Sequence, residues 1–178
     1  IAKKMVITLI STPFSLRALN FLKNFNPPMY KISSFEITDH RLISEIAKLK
    51  KPIILSTGLS NIKEIKDAIK IIKKYNNKII LLYCVSGYPT PLEDINLKKI
   101  DELRKKTNIN LIGFSDHSEG IEASIASLSK KICLIERHYT LNKNSNSPDV
   151  KFSILPHQLR ELKNLSTKIN KINFSKNK

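Results

Sequence analysis

The sequence predicts an α/β protein on parallel strands, specifically part of a (β/α)8 barrel, and three observations predict it. Short apolar runs recur roughly every 20–30 residues, each followed by a stretch of helical period, which is the size and order of βα repeats. Polar, chemistry-bearing residues gather where each run ends, as they do at the carboxyl ends of parallel strands whose faces are both buried. No hairpin turn separates neighbouring strands, which argues against ferredoxin-like and sandwich folds. With only 4 glycines, the chain also lacks the Gly-rich first turn of a doubly wound sheet.

Taken in order, Met5–Ile10 is an apolar run ending in Ser11-Thr12-Pro13. Ser15 caps a helix carrying Leu16, Leu19 and Leu22. Pro27-Pro28 breaks the chain before the strand Met29–Ile32, which ends in Ser33-Ser34-Phe35-Glu36. Asp39 caps the next helix, with Leu42, Ile43, Ile46 and Leu49 inward. Pro52 opens the strand Ile53–Leu55, which ends in Ser56-Thr57-Gly58. Asn61 and Glu64 have capping-box spacing, with Ile62, Ile65, Ile69 and Ile72 as the buried stripe behind them.

Ile79–Leu82 is the fourth run and leads into Tyr83–Pro89. A helix from about Asn96 carries Leu97, Ile100 and Leu103. The strand Leu111–Phe114 ends in Ser115-Asp116-His117-Ser118, and a helix follows around Ile121–Leu128. Ile132–Ile135 ends in Glu136-Arg137-His138. After the polar loop 142–148, Pro156 starts a last helix with Leu159, Leu162 and Leu165. That makes six strand–helix units where a barrel needs eight. The chain opens at Ile1 in a helix-like stretch, so residues 1–170 are expected to be a partial barrel lacking its first two units. Residues 171–178 are expected to be a polar tail.

The 178 residues suit one domain, and 41% hydrophobic with 26% charged residues is a globular composition. Cys84 and Cys133 each sit in an apolar run, which fits buried thiols in a reducing compartment better than a disulfide framework. With no membrane-length apolar run and no signal-like start, the expected location is the cytoplasm. The net charge of +16 comes from lysines scattered over every helix face. They form no single stripe, and no stacking platform accompanies them, so nucleic acid is not the expected partner.

His117 and His138 close adjacent strands. They read either as an imidazole pair converging on one divalent ion or as hydrogen-bonded strand-end histidines. Asp116 and Glu136 read either as orienters of those rings or as structural salt-bridge partners. His40 and His157 fall at helix starts, where capping or exposure is expected. Lys31 lies inside an apolar strand, and burying its charge without an anion would be costly, so it is expected to bind one. Hydroxyls from Thr12, Ser34, Ser56, Ser86 and Ser115 come from five strand ends. Singly each is a turn or cap residue, and together they make an anion cradle.

Several segments in register resemble the sialic acid synthase family, which makes nine-carbon nonulosonic acids. They are Ser11-Thr12-Pro13-Phe14, Tyr30–Glu36, Lys51–Gly58, Ser86–Pro91, Gly113–His117 and Ile135–Leu141. The resemblance covers essentially the whole chain. It implies a TIM barrel that condenses phosphoenolpyruvate with an N-acyl amino sugar, using a divalent metal: Mn2+ first, then Mg2+ or Co2+. It implies Thr12, Lys31, Ser34, Ser56, Ser86 and Ser115 on phosphoenolpyruvate, and Glu36, Tyr88 and Asp149 on the sugar. His117 and His138 are implied as metal ligands, acting in catalysis with Glu36. It further implies a homodimer for the full-length protein, with a C-terminal antifreeze-like domain that has no counterpart in these residues.

Departures from the family pattern are Ser86 where Asn is common, Arg137 for Lys, Ser147 for a Gly, and Ser129-Lys130-Lys131 for a Gly-containing turn. The segment Asp149–Ile154, with Phe152 before Ser153, resembles pseudaminic acid synthases. The pseudaminic acid precursor is therefore the expected sugar, with N-acetylmannosamine next. A related keto-deoxy sugar acid synthase, or a truncated inactive or binding-only product, are the alternatives. The 178 residues alone are expected to be inactive and poorly soluble.

Overall fold

The computed structural model describes residues 4–76, 78–144 and 146–174. Five parallel strands lie in one sheet in chain order, β1 (Tyr30–Ile32), β2 (Ile53–Ser56), β3 (Ile79–Cys84), β4 (Ile112–Asp116) and β5 (Ile135–Arg137). Helices alternate with them: α1 (Leu16–Lys23), α2 (His40–Ala47), α3 (Ile62–Lys73), α4 (Lys98–Thr107), α5 (Glu122–Ser127) and α6 (Pro156–Phe174). The chain divides into two compact units, Ile1–Leu82 with Arg104–Leu111, and Tyr83–Leu103 with Ile112–Lys178.

In the first unit the local signals act as the sequence predicts. Ser15 Oγ accepts the Ala18 N–H at 3.1 Å, and Asp39 Oδ1 accepts the Leu42 N–H at 2.9 Å. Asn61 and Glu64 close a reciprocal capping box at the start of α3. Each such cap satisfies donors that the first helical turn leaves without partners, worth about 1 kcal/mol. Pro52 precedes β2, whose Ile53, Ile54 and Leu55 pair with Ile79, Ile80 and Leu81 of β3 and with Tyr30, Lys31 and Ile32 of β1. Leu19, Ile32, Leu42, Ile43, Ile46, Ile53, Leu55, Ile72 and Leu81 are fully buried around these strands. Ile62, expected in the buried stripe, is 36% exposed because it is the first residue of α3.

The second unit has a smaller core. Ile121, Ile154 and Leu162 pack together with Ile125 and Ile135. β4 and β5 pair in parallel with Phe114 opposite Ile135, Ser115 opposite Glu136 and Asp116 opposite Arg137. A rudimentary further strand follows. Ile154 bridges Tyr139 in parallel, its N–H donates to His138 O at 2.8 Å, and its carbonyl accepts from Thr140 N at 3.0 Å.

Three expectations need correction. Met5–Ile10 is not a strand: residues 4–6 form a turn, Val6 has φ of 56°, and Met5, Val6, Ile7 and Leu9 are 55–93% exposed. An apolar run becomes a strand only when a neighbour accepts its ladder bonds, and this run has none among the described residues. Second, Cys133 is exposed while Cys84 is buried. Cys133 N still donates to Ile112 O, and Leu134 O accepts from Phe114 N, both at 2.9 Å, while the regular strand spans Ile135–Arg137. Third, Lys31 is half-buried rather than buried. α6 itself runs on to Phe174. The remaining tail, Ser175–Lys178, and the start Ile1–Lys3 lie outside the described residues.

With so few glycines, other residues fill the left-handed positions that end helices. Asn26, Lys50, Asn108 and Lys131 have φ between 46° and 56°. Lys131 takes this conformation after the short 3-10 turn Leu128–Lys130, where the resemblance expects a glycine-containing turn. A side chain there costs on the order of 1 kcal/mol.

Candidate active site

The alternation of side chains along paired strands sorts the residues at the ends of β4 and β5. Ser115 and His117 of the first, with Glu136 and His138 of the second, fall on one face. Asp116 and Arg137 fall on the other.

On that second face, Arg137 Nη1 lies 2.6 Å from Asp116 Oδ2, and both side chains are almost wholly buried. Asp116 also accepts from Ser118 N at 2.9 Å, from Ser118 Oγ at 2.6 Å, and from Ser124 Oγ. Arg137 Nη2 donates to the carbonyls of Ser118, Gly120 and Phe152 at 2.8, 2.9 and 3.2 Å. Its Nε makes no hydrogen bond among the described residues, and its Nη1 meets Asp116 as an ion pair without hydrogen-bond geometry. Asp116 is therefore engaged by arginine and hydroxyls and not by an imidazole, which answers one alternative left open by the sequence. Its bidentate-capable arginine partner ties the loop after β4 to the segment before α6.

On the other face the two imidazoles approach with ring centroids 5.5 Å apart and planes at 60°. His117 is buried, and its Nδ1 lies 2.9 Å from the Val85 carbonyl oxygen. A carbonyl only accepts, so Nδ1 carries the proton and Nε2 presents a lone pair. Ser115 Oγ stands 3.3 Å from that Nε2 and 2.7 Å from Glu136 Oε1. The hydroxyl has one proton, and the shorter bond to a carboxylate is the stronger one, so the Nε2 lone pair stays available. Burial, with the neighbouring His138 adding to it, holds the His117 pKa below the ordinary imidazole value. The ring is thus neutral near pH 7.

His138 has a looser counterpart of this arrangement, an ion-pair contact in place of a hydrogen bond. Its Nδ1 lies 3.2 Å from Asp149 Oδ2, and both side chains are partly exposed. A carboxylate at that distance favours the proton on Nδ1 by charge, which leaves the lone pair on Nε2. Two imidazoles that bind one ion at about 2.1 Å each have centroids within about 6 Å of each other. The chemistry of the donor set therefore fits one borderline divalent ion, with its remaining positions left to water and substrate. Among the described residues no group of three or more His, Cys, Asp or Glu side chains is arranged to hold a metal.

Two aromatic rings wall this face. Tyr88 stands 4.3 Å from the His117 ring and 5.4 Å from Phe152, and Phe152 stands 4.8 Å from His138. Burial raises the Tyr88 pKa, with Cys84 and Glu136 adding to the effect. Its loop is locked to β4: Thr90 N donates to His117 O at 3.0 Å, and Thr90 Oγ1 to Gly87 O at 2.7 Å. Ser86 Oγ is buried without a hydrogen bond of good geometry, although it stands close enough to the Tyr88 phenol to favour its ionised form slightly. An open cavity of about 450 Å³ adjoins His138 and Asp149, lined also by Thr140, Asn142, Ser147 and Ser153. That is room for a sugar-sized ligand.

The second unit therefore brings Tyr88, Ser115, His117, His138 and Asp149 together, with Ser86 on the loop between β3 and Tyr88. The remaining sequence candidates belong to the first unit. Ser56 is the buried last residue of β2, and Lys31 is the middle residue of β1. Ser34 and Glu36 form the one-turn 3-10 helix after it, where Ser33 Oγ donates to the Glu36 carboxylate. Thr12 is half-buried in the irregular segment before α1. His40 and His157 open α2 and α6 on the surface, as expected.

Sequence reasoning missed three features of the site: the Val85 carbonyl, the Phe152 wall and the Asp149 contact to His138. A backbone acceptor leaves no sequence signal. The other two lie in the Asp149–Ile154 segment, where the resemblance implies Asp149 on the sugar and Phe152 as part of the pseudaminic pattern but implies no contact of either with His138.

Residues 1–178 match the NeuB family. The chain is 41% identical over 174 residues to the N,N'-diacetyllegionaminic acid synthase of Campylobacter jejuni, across 96% of this chain and 51% of that enzyme. It is 42% identical over 155 residues to the pseudaminic acid synthase of Helicobacter pylori, across 86% of this chain and 45% of that one. The crystal structure of N-acetylneuraminic acid (sialic acid) synthetase from Leptospira borgpetersenii in complex with citrate aligns with a TM-score of 0.91 at 35% identity. That alignment covers 97% of this chain and 60% of the other. The fold is accordingly an incomplete TIM barrel. The chain spans about half the length of the curated relatives it matches.

Proposed function

This chain belongs to the NeuB family, and from that premise we propose that the protein it forms part of is a nonulosonic acid synthase. It condenses phosphoenolpyruvate with an N-acyl amino sugar and releases phosphate. One observation carries the reading: two imidazoles 5.5 Å apart, with His117 Nδ1 bonded to Val85 O and His138 Nδ1 beside the Asp149 carboxylate, so that each Nε2 is left to a ligand.

His117 and His138 would hold the divalent ion, Mn2+ before Mg2+ or Co2+. The ion, when bound, polarises the sugar aldehyde. In the reaction a carbon–carbon bond forms between C3 of phosphoenolpyruvate and that aldehyde carbon. Water adds at C2, and the C–O bond to phosphate then breaks. Asp149 keeps the proton on His138 Nδ1 and has a second oxygen to offer a sugar hydroxyl. Glu136 accepts the Ser115 O–H hydrogen bond, so the serine oxygen keeps its lone pairs for this face. Tyr88 and Phe152 supply aromatic walls beside the two rings.

On the resemblance, Thr12, Lys31, Ser34, Ser56, Ser86 and Ser115 are assigned to phosphoenolpyruvate, and Glu36, Tyr88 and Asp149 to the sugar. The pseudaminic acid precursor is the favoured substrate, because the Phe152 segment resembles those synthases. A cytoplasmic homodimer is proposed for the full-length protein. No helix among the described residues is long and apolar enough to cross a membrane.

The test is phosphate release by the full-length protein, stripped of metal and resupplied with Mn2+, with each candidate sugar. Metal-dependent release with an N-acyl amino sugar is expected, fastest with the pseudaminic acid precursor. His138→Ala is expected to lower it by more than about a hundredfold. Phosphate release with a non-acylated aldose alone would instead assign a keto-deoxy sugar acid synthase.

A further inference from the structure

We propose that Lys143 is a positioning residue of the candidate site, whose ammonium fixes the 149–153 turn so that Asp149 and Phe152 meet His138. The proposal rests on the role given to His138 above and adds to it the device that holds its anchor.

Lys143 Nζ lies 2.9 Å from Val150 O, 3.0 Å from Lys151 O and 2.7 Å from Ser153 O. An ammonium has three N–H donors, and here each has one carbonyl. The remaining carbonyl of this run, Phe152 O, accepts from Arg137 Nη2 at 3.2 Å. Asp149 O accepts from Ser153 N at 3.1 Å and Ser153 Oγ at 2.8 Å. Every carbonyl from residue 149 to residue 153 thus has a donor, in a segment that has no helix and only one bridge at its end.

Carbonyls that converge on one point gather negative partial charge, as at the C-terminal end of a helix. Without a cation, these would repel one another and turn to water. The turn would then open, and its two functional side chains go with it: Asp149 from His138 Nδ1 and Phe152 from the His138 ring. A compact ammonium suits a three-way convergence, whereas the flat guanidinium fork can satisfy only part of it. A solvated surface lysine would be expected to wander among such contacts without filling all three. His117 is the internal control, since its Nδ1 is held by Val85 O, on a loop that Lys143 does not touch.

The experiment is long-range 1H–15N NMR of metal-free, histidine-labelled full-length protein, which reads the protonated nitrogen of each ring directly. In Lys143→Met, His138 is expected to move from one Nδ1–H tautomer toward an average of both, while His117 keeps its Nδ1–H tautomer. Turnover is expected to fall by at least about tenfold. Lys143→Arg, which keeps the charge, is expected to recover part of the His138 signal. An unchanged His138 in Lys143→Met overturns the proposal, and so does an Arg variant with the spectrum of the Met one. Joint loss of both histidine signals in Lys143→Met would make Lys143 a general support of the fold, which also overturns it. The NMR readout needs no turnover, so a failed synthase assay and a failed positioning role are told apart.

Discussion

The ends of β4 and β5 carry the same pattern, a strand that delivers an acid and a histidine, yet they are anchored in different ways. At the end of β4, His117 is buried and its Nδ1 donates to a backbone carbonyl, Val85 O, in a loop itself bonded back to the strand. At the end of β5, His138 is 34% exposed and depends on Asp149, a side chain on a turn with little regular structure. The first anchor is part of the main chain, while the second needs its own cations, Lys143 and Arg137. Two imidazoles of equal chemistry can therefore differ in how easily they are disturbed. The permanent one belongs to the scaffold, and the adjustable one sits beside the cavity.

The largest expected effect removes what both ends share. Arg137→Met leaves the fully buried Asp116 carboxylate without its cation and frees three carbonyls. The expected loss of stability is about 3–5 kcal/mol, read from the midpoint of urea unfolding. A loss below about 1 kcal/mol would mean that the serine hydroxyls around Asp116 suffice.

A smaller and one-sided effect is expected of Asp149→Asn. An amide can turn its oxygen toward His138 but no longer favours the Nδ1 proton by charge. Mn2+ affinity is expected to fall about 10–100-fold with little change in unfolding midpoint, measured by titration of the metal-free protein. Equal affinity in the two proteins would remove Asp149 from its anchoring role and leave it to the sugar.

The smallest effect concerns the β4 end alone and follows from the direction of the His117 shift. Its folded pKa lies below that of an unfolded histidine, about 6.5. The unfolded chain therefore binds the extra proton first as pH falls. The stability from a neutral, buried His117 is complete above about pH 6.5 and is lost as pH falls through the lower folded value. In metal-free protein, unfolding midpoints followed from pH 8 to 5 are expected to decline less in His117→Gln than in wild type. Parallel curves would show that other groups carry the acid sensitivity.

How legible this was in the residues depended on range. Helix starts were legible because their cause is local: Ser15, Asp39 and the Asn61–Glu64 pair each act within three residues, and all three form. The buried stripe of α3 was legible for the same reason, apart from Ile62 at its exposed first position. The pairing of chemistry with strand ends was legible too, since alternation along β4 and β5 is a property of extended backbone.

The Met5–Ile10 run shows the limit. Hydrophobicity alone made it a strand, but a strand is a relation between two segments, and periodicity in one of them carries no information about the other. Lys31 shows it again, because its neighbours in sequence are buried while its own side chain is only half so.

The sequence by itself thus determined the alternation of elements, the caps, the parallel class and the residue types at the site, all of which follow from interactions within a few residues. Tertiary structure alone decided three things: that Asp116 turns away to Arg137, that Val85 O and Asp149 set the two imidazole protons, and that Lys143 gathers three carbonyls. Each of those joins groups brought near only by folding, where a shift of a single strand register would exchange one face for the other.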